Sequence, residues 1–361
     1  MQKSFIFSGL IVFYALLGIA TIESCRNNQV DQNTGFIFKE KLSDYGFFKQ
    51  NLRDLKPQTG VLPYELSTPL FTDYTRKDRF IVLPGGRPIR YTERGPLDFP
   101  DSTIIVKNFA YTNIHHQKIM LETRLLVKDP FDSKWKVMDY LWDKDQTDAV
   151  KHISGAKIQI NLLDDSANTI HTTYQVPNTN DCKRCHLQNN ELTPLGPKAR
   201  NLNFTVEGQP NNQLVQWASL GLLSGIADIS QVSQLPNWRD EKHFTLEQRA
   251  RAYLDVNCAH CHAAGGDASN TGLFLDYEQH DPFHLGIMKA PVSAGGGAGG
   301  LDYDILPGDV AHSILVYRMN SNEPGTAMPE LARTIIHTEG VNLIAAWVSQ
   351  LSSGKKPSTR R

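Results

Sequence analysis

Cysteine is scarce in this chain and charge is nearly balanced. Lys plus Arg number 37 against 38 for Asp plus Glu, a net charge of -1 over 361 residues. No basic excess argues for nucleic acid, and no acidic block argues for a charged tail. There are 5 cysteines. Four fall in two short strings, NDCKRCH and VNCAHCH, and the fifth is Cys25, so no thiol is left over for a structural disulfide. A disulfide scaffold is thereby excluded. The chain has no internal repeat beyond those two strings, whose flanks differ. The glycine cluster AGGGAGG, Ala294 to Gly300, lacks the Gly-Lys-Ser/Thr ending of a phosphate cradle and has no clear strand before it, so it reads as a flexible loop.

One long apolar run is present, at the very start. Lys3 precedes apolar residues from about Phe5 to Ile22, closed by small and polar ones, which is the layout of a secretory signal. A spanning anchor is the alternative, but the run lies near the lower length limit for crossing a bilayer. Ile22-Glu23-Ser24-Cys25 resembles a bacterial lipoprotein cleavage site, which implies that Cys25 carries lipid; Glu23 departs from the usual small or apolar residue there. The polar stretch RNNQVDQNTG that follows reads as a tether.

The length accommodates two domains or more. Residues 41–178 read as strands and turns. Ile119, Leu121, Thr123, Leu125 and Val127 alternate with Glu122, Arg124 and Lys128, the period of a half-buried strand. Ile158, Ile160 and Leu162 repeat that period, and Thr103–Tyr111 and Trp135–Trp142 are further candidates. Leu83-Pro84-Gly85-Gly86, Arg94-Gly95-Pro96 and Asp129-Pro130 supply turns between them. After Pro177 the period changes. Asn212–Leu223 places Leu214, Trp217, Ala218 and Leu222 on one helical face. Thr245-Leu246-Glu247-Gln248 is a capping box opening a helix with Leu246, Ala250, Tyr253 and Leu254 on its apolar stripe, which runs directly into Cys258. Val341–Leu351 places Ile344, Trp347, Val348 and Leu351 together. The expected fold class is α+β and multidomain: an N-terminal antiparallel sheet or sandwich-like domain, then an all-α domain. The expected boundaries are 1–25 for the leader, 26–40 for the tether, 41–178 for the β-rich domain, 179–238 and 239–352 for the two segments bearing the cysteine strings, and 353–361 for a disordered tail.

Both strings contain C-x-x-C-H, and three chemistries compete for it. A zinc site built from Cys182, Cys185, Cys258 and Cys261 would need pairs much further apart than in ordinary zinc ribbons, and leaves the two following histidines without a role. A thioredoxin-like redox pair needs a helix start after a strand in a βαβ unit, which is not evident here. Covalent haem uses every residue: the two cysteines of each string meet the two porphyrin vinyl groups, and the adjacent His186 or His262 meets the iron. Two haem c groups are therefore the expected cofactors. A sixth, thioether ligand for the second is Met328, in the loop Gly325-Thr326-Ala327-Met328-Pro329 before the last helix, with Met319 and Met288 as fallbacks.

These residues carry a resemblance. From about Glu241 to Leu351, VNCAHCH, TGLFLDY, ILPGDVAHSILVYRM and AMPEL followed by a helix with Trp347 resemble a small cytochrome c domain. That implies one helix before the haem and one after the methionine, packed against each other. PYELSTPLFTDY, ETRLLV, DQTDA, VPNTNDCKRCH and LGPKARNLN resemble a family of di-haem c-type cytochromes of poorly defined function. The sheet-rich leader ahead of the first string is faintly similar to the β-sheet cytochromes c′-beta and their hydroxylamine-oxidising relatives, through Ile104-Ile105-Val106-Lys107 and the Trp135 strand. That similarity implies a sheet walling off a haem with an open face, while a purely structural role is the ordinary reading of Lys107.

The first string lacks an obvious sixth ligand. No methionine lies between His186 and Cys258, and His115, His116, Met138, His152, His171 and His243 are the candidates elsewhere. The expected function is single-electron transfer by an exported di-haem cytochrome in the periplasm or cell envelope of a Gram-negative bacterium, serving redox partner proteins. Two alternatives stay open: the electron-accepting subunit of a periplasmic dehydrogenase, and a haem redox enzyme, peroxidase-like or acting on a small nitrogen compound, with an open first iron.

Overall fold

The computed structural model describes residues 35–352. The leader, Cys25, most of the tether and the tail lie outside the described residues.

The N-terminal part is organised by one six-stranded sheet, antiparallel throughout. Its strands are β1 (Val61–Tyr64), β2 (Arg76–Val82), β4 (Ile104–Thr112), β5 (Lys118–Lys128), β6 (Trp135–Trp142) and β7 (Ala149–His152), side by side in that order. A short β3 (Ile89–Arg90) lies outside it, paired parallel with Leu223–Ser224. β8 (Ala156–Leu163) and β9 (Thr169–Val176) make a separate hairpin. The turns read from the sequence separate these strands as expected, because Pro and Gly end pairing where the chain must reverse.

The sheet is covered on both faces. Phe80, Val106, Leu125, Val127 and Tyr140 pack beneath an N-terminal layer of Leu42, Phe47, Phe48 and Leu55. On the other face Ile81, Ile105, Leu126 and Val137 pack against Cys182, Leu202, Leu214 and Trp217. The residues that cover this second face belong to 179–238, so that segment shares its core with the sheet. Burying each such side chain contributes about 1.5–3 kcal/mol, which ties the first cysteine string firmly to the sheet. The antiparallel sheet is as expected; the second layer among the described residues is the two-stranded β8–β9 hairpin packed near Leu121 rather than a full sheet.

The alternation in β5 is only partly as read from the sequence. Phe109 pairs with Glu122 and Ala110 with Met120, so Leu121 is skipped by a bulge. A bulge turns the following side chains to the opposite face. Leu125 and Val127 stay beneath the sheet, whereas Leu121 joins Ile160, Leu162 and Tyr174 on the hairpin side. β5 is buried on both faces rather than half-buried, and Glu122 is fully buried. In β8 the simple alternation holds, with Ile160 and Leu162 buried and Lys157, Gln159 and Asn161 exposed.

Among the described residues there are six α-helices: α1 (Thr179–His186), α2 (Ala199–Leu202), α3 (Gln213–Ser219), α4 (Leu246–Asn257), α5 (Ile314–Met319) and α6 (Thr338–Gln350). α3 is shorter than its sequence pattern, and Ala218 is exposed. Thr245 caps α4 with Gln248 in a reciprocal capping box, as expected. Beyond residue 239 the chain is three helices framed by long loops, so the expected all-α domain is helical only in part. Ala250, Tyr253 and Leu254 of α4 meet Ile344, Trp347 and Val348 of α6 in one apolar core. No helix among the described residues is long and apolar enough to cross a membrane.

Candidate functional site

The first C-x-x-C-H string is a helix in its own right. β9 ends at Val176 and Pro177 breaks the ladder. Asn178 then caps α1 by accepting from the N–H groups of Asn180 (2.9 Å) and Asp181 (3.0 Å), while the Asp181 carboxylate accepts from the Asn178 N–H (3.2 Å). Such a reciprocal cap fixes where the helix begins. It places Cys182 in the core against Leu126 and Val137 and leaves Cys185 and His186 facing out of it. The second string begins at the C-cap of α4, where Cys258 leaves the helix.

All six residues of these strings open into one cavity of about 260 Å³. Met328 and Met319 line it too, whereas Met288 is exposed and lies away from it. Nδ1 of His186 lies 2.8 Å from the Thr193 carbonyl, which orients the ring and leaves Nε2 free. Nδ1 of His262 is buried without a hydrogen-bond partner among the described residues. Burial, above all, lowers both imidazoles to about 4, so both are neutral at neutral pH. A neutral imidazole is the form that binds a metal, and the His186 ring is in addition anchored through one nitrogen.

The strings also meet each other. Donor atoms of Cys185, His260 and Cys261 all lie within 4.8 Å of one another. The neighbouring Cys261 sulfur, with His260 beside it, holds the Cys185 thiol down to about 4, while that same contact and burial push Cys261 up. Burial raises Cys182 to about 11 and Cys258 to about 12. Arg184, inside the first string, reaches Asp267 (3.3 Å) and Glu330 (3.1 Å) on the other side. Deeper in, Arg200 and Asp255 form a buried pair at 2.6 Å, joining α2 to α4.

The loop bearing Met328 is held from two sides. The Met328 N–H donates to the Arg318 carbonyl (3.0 Å), and the Arg333 guanidinium donates to the Met328 carbonyl (2.9 Å). Asp73, almost fully buried, accepts from the N–H groups of Thr334 (2.8 Å) and Ile335 (2.9 Å) and from the Thr334 hydroxyl (3.0 Å). Asp73 and Tyr74 take φ of 44° and 53°, left-handed conformations that an aspartate tolerates better than most residues. Tyr74 adds a hydrogen bond to Glu339 on α6 (2.7 Å). Beside them His337 stacks on Phe71 with centroids 3.9 Å apart, and its Nδ1 lies 2.9 Å from the Tyr253 hydroxyl.

The sheet supplies a cationic flank. Register places Arg79 of β2 opposite Lys107 of β4, and Lys107 opposite Arg124 of β5. Arg124 is paired with buried Glu122 (2.6 Å), which also accepts from the Tyr174 hydroxyl (2.5 Å). Burial raises the Glu122 carboxyl, but Arg124 outweighs it and the net shift is downward; burial and the Glu122 charge drive neighbouring Asp139 well up. Lys107 lies over the Phe109 ring (4.8 Å) and lines the cavity with Arg124. Burial first, then Arg79 and Arg124, lowers its ammonium to about 7.

None of His115, His116, Met138, His152, His171 and His243 lines the cavity. His115, His116, His171 and His243 are exposed, His152 bonds the Gly155 carbonyl (2.9 Å), and Met138 packs under the opposite face of the sheet. Asp73, Arg124, Arg333 and His337 were not legible as site residues. Only pairing between distant segments brings them here, and PLFTDY and ETRLLV were the stretches of sequence that marked the neighbourhood. The glycine cluster forms a short 3-10 turn at Gly295–Ala298. Comparison with protein-family models, with curated proteins and with solved structures finds no match to this chain.

Proposed function

We propose that this chain is a di-haem c-type cytochrome that exchanges single electrons with redox partner proteins in the cell envelope. The carrying observation is that Cys182, Cys185, His186, Cys258, Cys261, His262 and Met328 all face one cavity. The residues fit two covalent porphyrins: each string offers two thiols and one neutral imidazole, and the cavity is shared by apolar walls such as Leu70, Leu195, Leu273 and Val341. Haem held there would supply one-electron redox chemistry, tuned by axial ligand and burial.

The protein's own residues have separable tasks in this reading. Cys182 and Cys185, and Cys258 and Cys261, tether; His186 and His262 ligate. Thr193 orients the His186 ring. Met328 offers its thioether from the loop that Asp73, Arg318 and Arg333 hold. The approach of Cys185 to Cys261 supports a short path between the two tethering edges, which suits a relay. The helix before the second string and α6 after Met328 pack together, which supports a cytochrome c-like C-terminal part. Anchoring through lipid on Cys25 belongs to the same proposal and rests on the sequence.

A second reading is favoured by the cluster itself: Cys185, His260 and Cys261 as ligands of a zinc ion. Structural zinc takes four protein ligands, and this cluster of three leaves Cys182, Cys258, His186 and His262 without a task. Intact mass and the reduced pyridine spectrum of protein exported from a host that matures c-type cytochromes distinguish the two. The haem reading expects two covalent haems per chain, and one after Cys182→Ala/Cys185→Ala or Cys258→Ala/Cys261→Ala. Haem-free protein holding one zinc would overturn it.

A further inference from the structure

The first string has its histidine ligand on α1, but the sequence names no partner for the other side of that iron. The cavity narrows the choice. Nitrogen and sulfur donors outside the six motif residues that line it are Lys107, His260, Met319, Met328 and His337, besides arginines. A guanidinium keeps its proton and is no ligand. Met319 is buried in the core of α4 and α6. His337 is stacked on Phe71 and bonded to Tyr253 on the same far side. His260 is crowded against the sulfurs of Cys185 and Cys261, where tethering takes place, and Met328 belongs to the second string's loop. Lys107 alone comes from the sheet against which α1 packs.

Lys107 is also unusual as a sheet residue. Like charges directly opposite one another on neighbouring strands are destabilising, yet Arg79, Lys107 and Arg124 stand in one row across β2, β4 and β5. The two arginines have carboxylates: Glu65 lies 3.8 Å from Arg79 and Glu122 lies 2.6 Å from Arg124. Among the described residues the Lys107 ammonium makes no hydrogen bond or ion pair, and it lies over the Phe109 ring. It lines the same cavity as Cys182, Cys185 and His186. An amine held in an apolar setting between two arginines is disposed to lose its proton, and a neutral amine is a nitrogen donor.

We propose that Lys107 is the sixth ligand of the haem held by Cys182, Cys185 and His186. The two irons would then differ by design, the first with imidazole and amine, the second with imidazole and thioether. The first would hold the lower reduction potential, because a thioether favours ferrous iron and an amine does not. The inference rests on the di-haem reading above and is tested after haem content is established.

The experiment compares exported wild type, Lys107→Ala and Lys107→Arg, each with its covalent haem counted by intact mass. The reduced proteins are then exposed to carbon monoxide. Wild type is expected to be silent, and both variants to bind the gas at about half of their haem while keeping both haems. Lys107→Arg preserves the charge in the row, so a purely electrostatic lysine would leave that variant silent. Near-infrared magnetic circular dichroism of oxidised wild type gives an independent readout that needs no variant to fold: two distinct ligand-to-iron bands, one for histidine with thioether and one for histidine with amine. Carbon monoxide binding by wild type, silence of both variants, or a single type of band would overturn the assignment. Absence of haem at Cys182 and Cys185 would show in the mass before any gas is added, and would overturn the functional reading as well.

Discussion

The clamp made by Asp73 gives the sharpest test of how the N-terminal part governs the loop bearing Met328. Its carboxylate accepts three hydrogen bonds from Thr334 and Ile335 at 2.8 to 3.0 Å, in an almost fully buried setting. Asp73→Ala removes all three acceptors and leaves two backbone N–H groups without partners. Each unsatisfied buried group costs about 1–3 kcal/mol, so the loop should lose about 2–6 kcal/mol of local stability. The left-handed backbone at Asp73 adds to the cost, because alanine tolerates it less well than aspartate. Asp73→Asn behaves differently. Its amide oxygen can keep the bonds from both N–H groups, and asparagine tolerates the same backbone conformation. The assay is amide hydrogen exchange at Thr334 and Ile335, with urea unfolding on the same samples. Exchange at both amides should accelerate strongly in Asp73→Ala and little in Asp73→Asn. Protection unchanged in the alanine variant, or lost equally in both, would refute the reasoning. On the di-haem reading proposed above, a band of ferric haem with thioether ligation is expected to weaken in step with protection.

Other expectations follow from single contacts. Removing the Glu122 carboxylate leaves the largely buried Arg124 guanidinium unpaired, so Glu122→Ala should destabilise by about 3–5 kcal/mol, read as a lowered urea midpoint; Tyr174→Phe, which loses one hydrogen bond, should cost about 1 kcal/mol. Burial raises the Asp255 carboxyl, but Lys198, Arg200 and the Tyr277 N–H overcome it and set the pKa below the ordinary value. A folded pKa below the unfolded one, about 3.9, gives stability that is complete above that pH and is lost as pH falls through the folded value. Asp255→Asn should therefore be less stable at neutral pH and show a shallower loss below about pH 4, measured as unfolding free energy against pH. Arg184 is half exposed, and its bridges to Asp267 and Glu330 are worth about 0.2–1 kcal/mol each at most. Arg184→Ala should leave the unfolding midpoint nearly unchanged, and a large drop would mean that the join between the strings depends on it.

Much of the local structure was legible. β8 follows its alternation, and the Thr245 box starts α4, because short-range periodicity and capping act within a few residues. The reading failed where pairing between segments decides. Leu121 looked equivalent to Leu125, but the bulge against β4 sends it to the hairpin side. Nothing near Asn178 suggested a helix containing the whole first string, because a polar capping box has no apolar stripe to betray it. His115, His116, His152, His171, His243 and Met138 were equally plausible ligands as letters, and all six lie off the cavity.

By itself the amino-acid order determined the chemistry on offer: two C-x-x-C-H strings, a methionine in a loop before a closing helix, and no spare thiol. Those are properties of residue type and close spacing, and no folding is needed to state them. Tertiary structure alone decided that both strings share one chamber, with Cys185 and Cys261 in contact. It also decided that Asp73 grips the Met328 loop and that Lys107 stands between two arginines at the chamber's edge. Each of those depends on strand register and on packing between distant segments, where a shift of one residue turns a side chain to the other face.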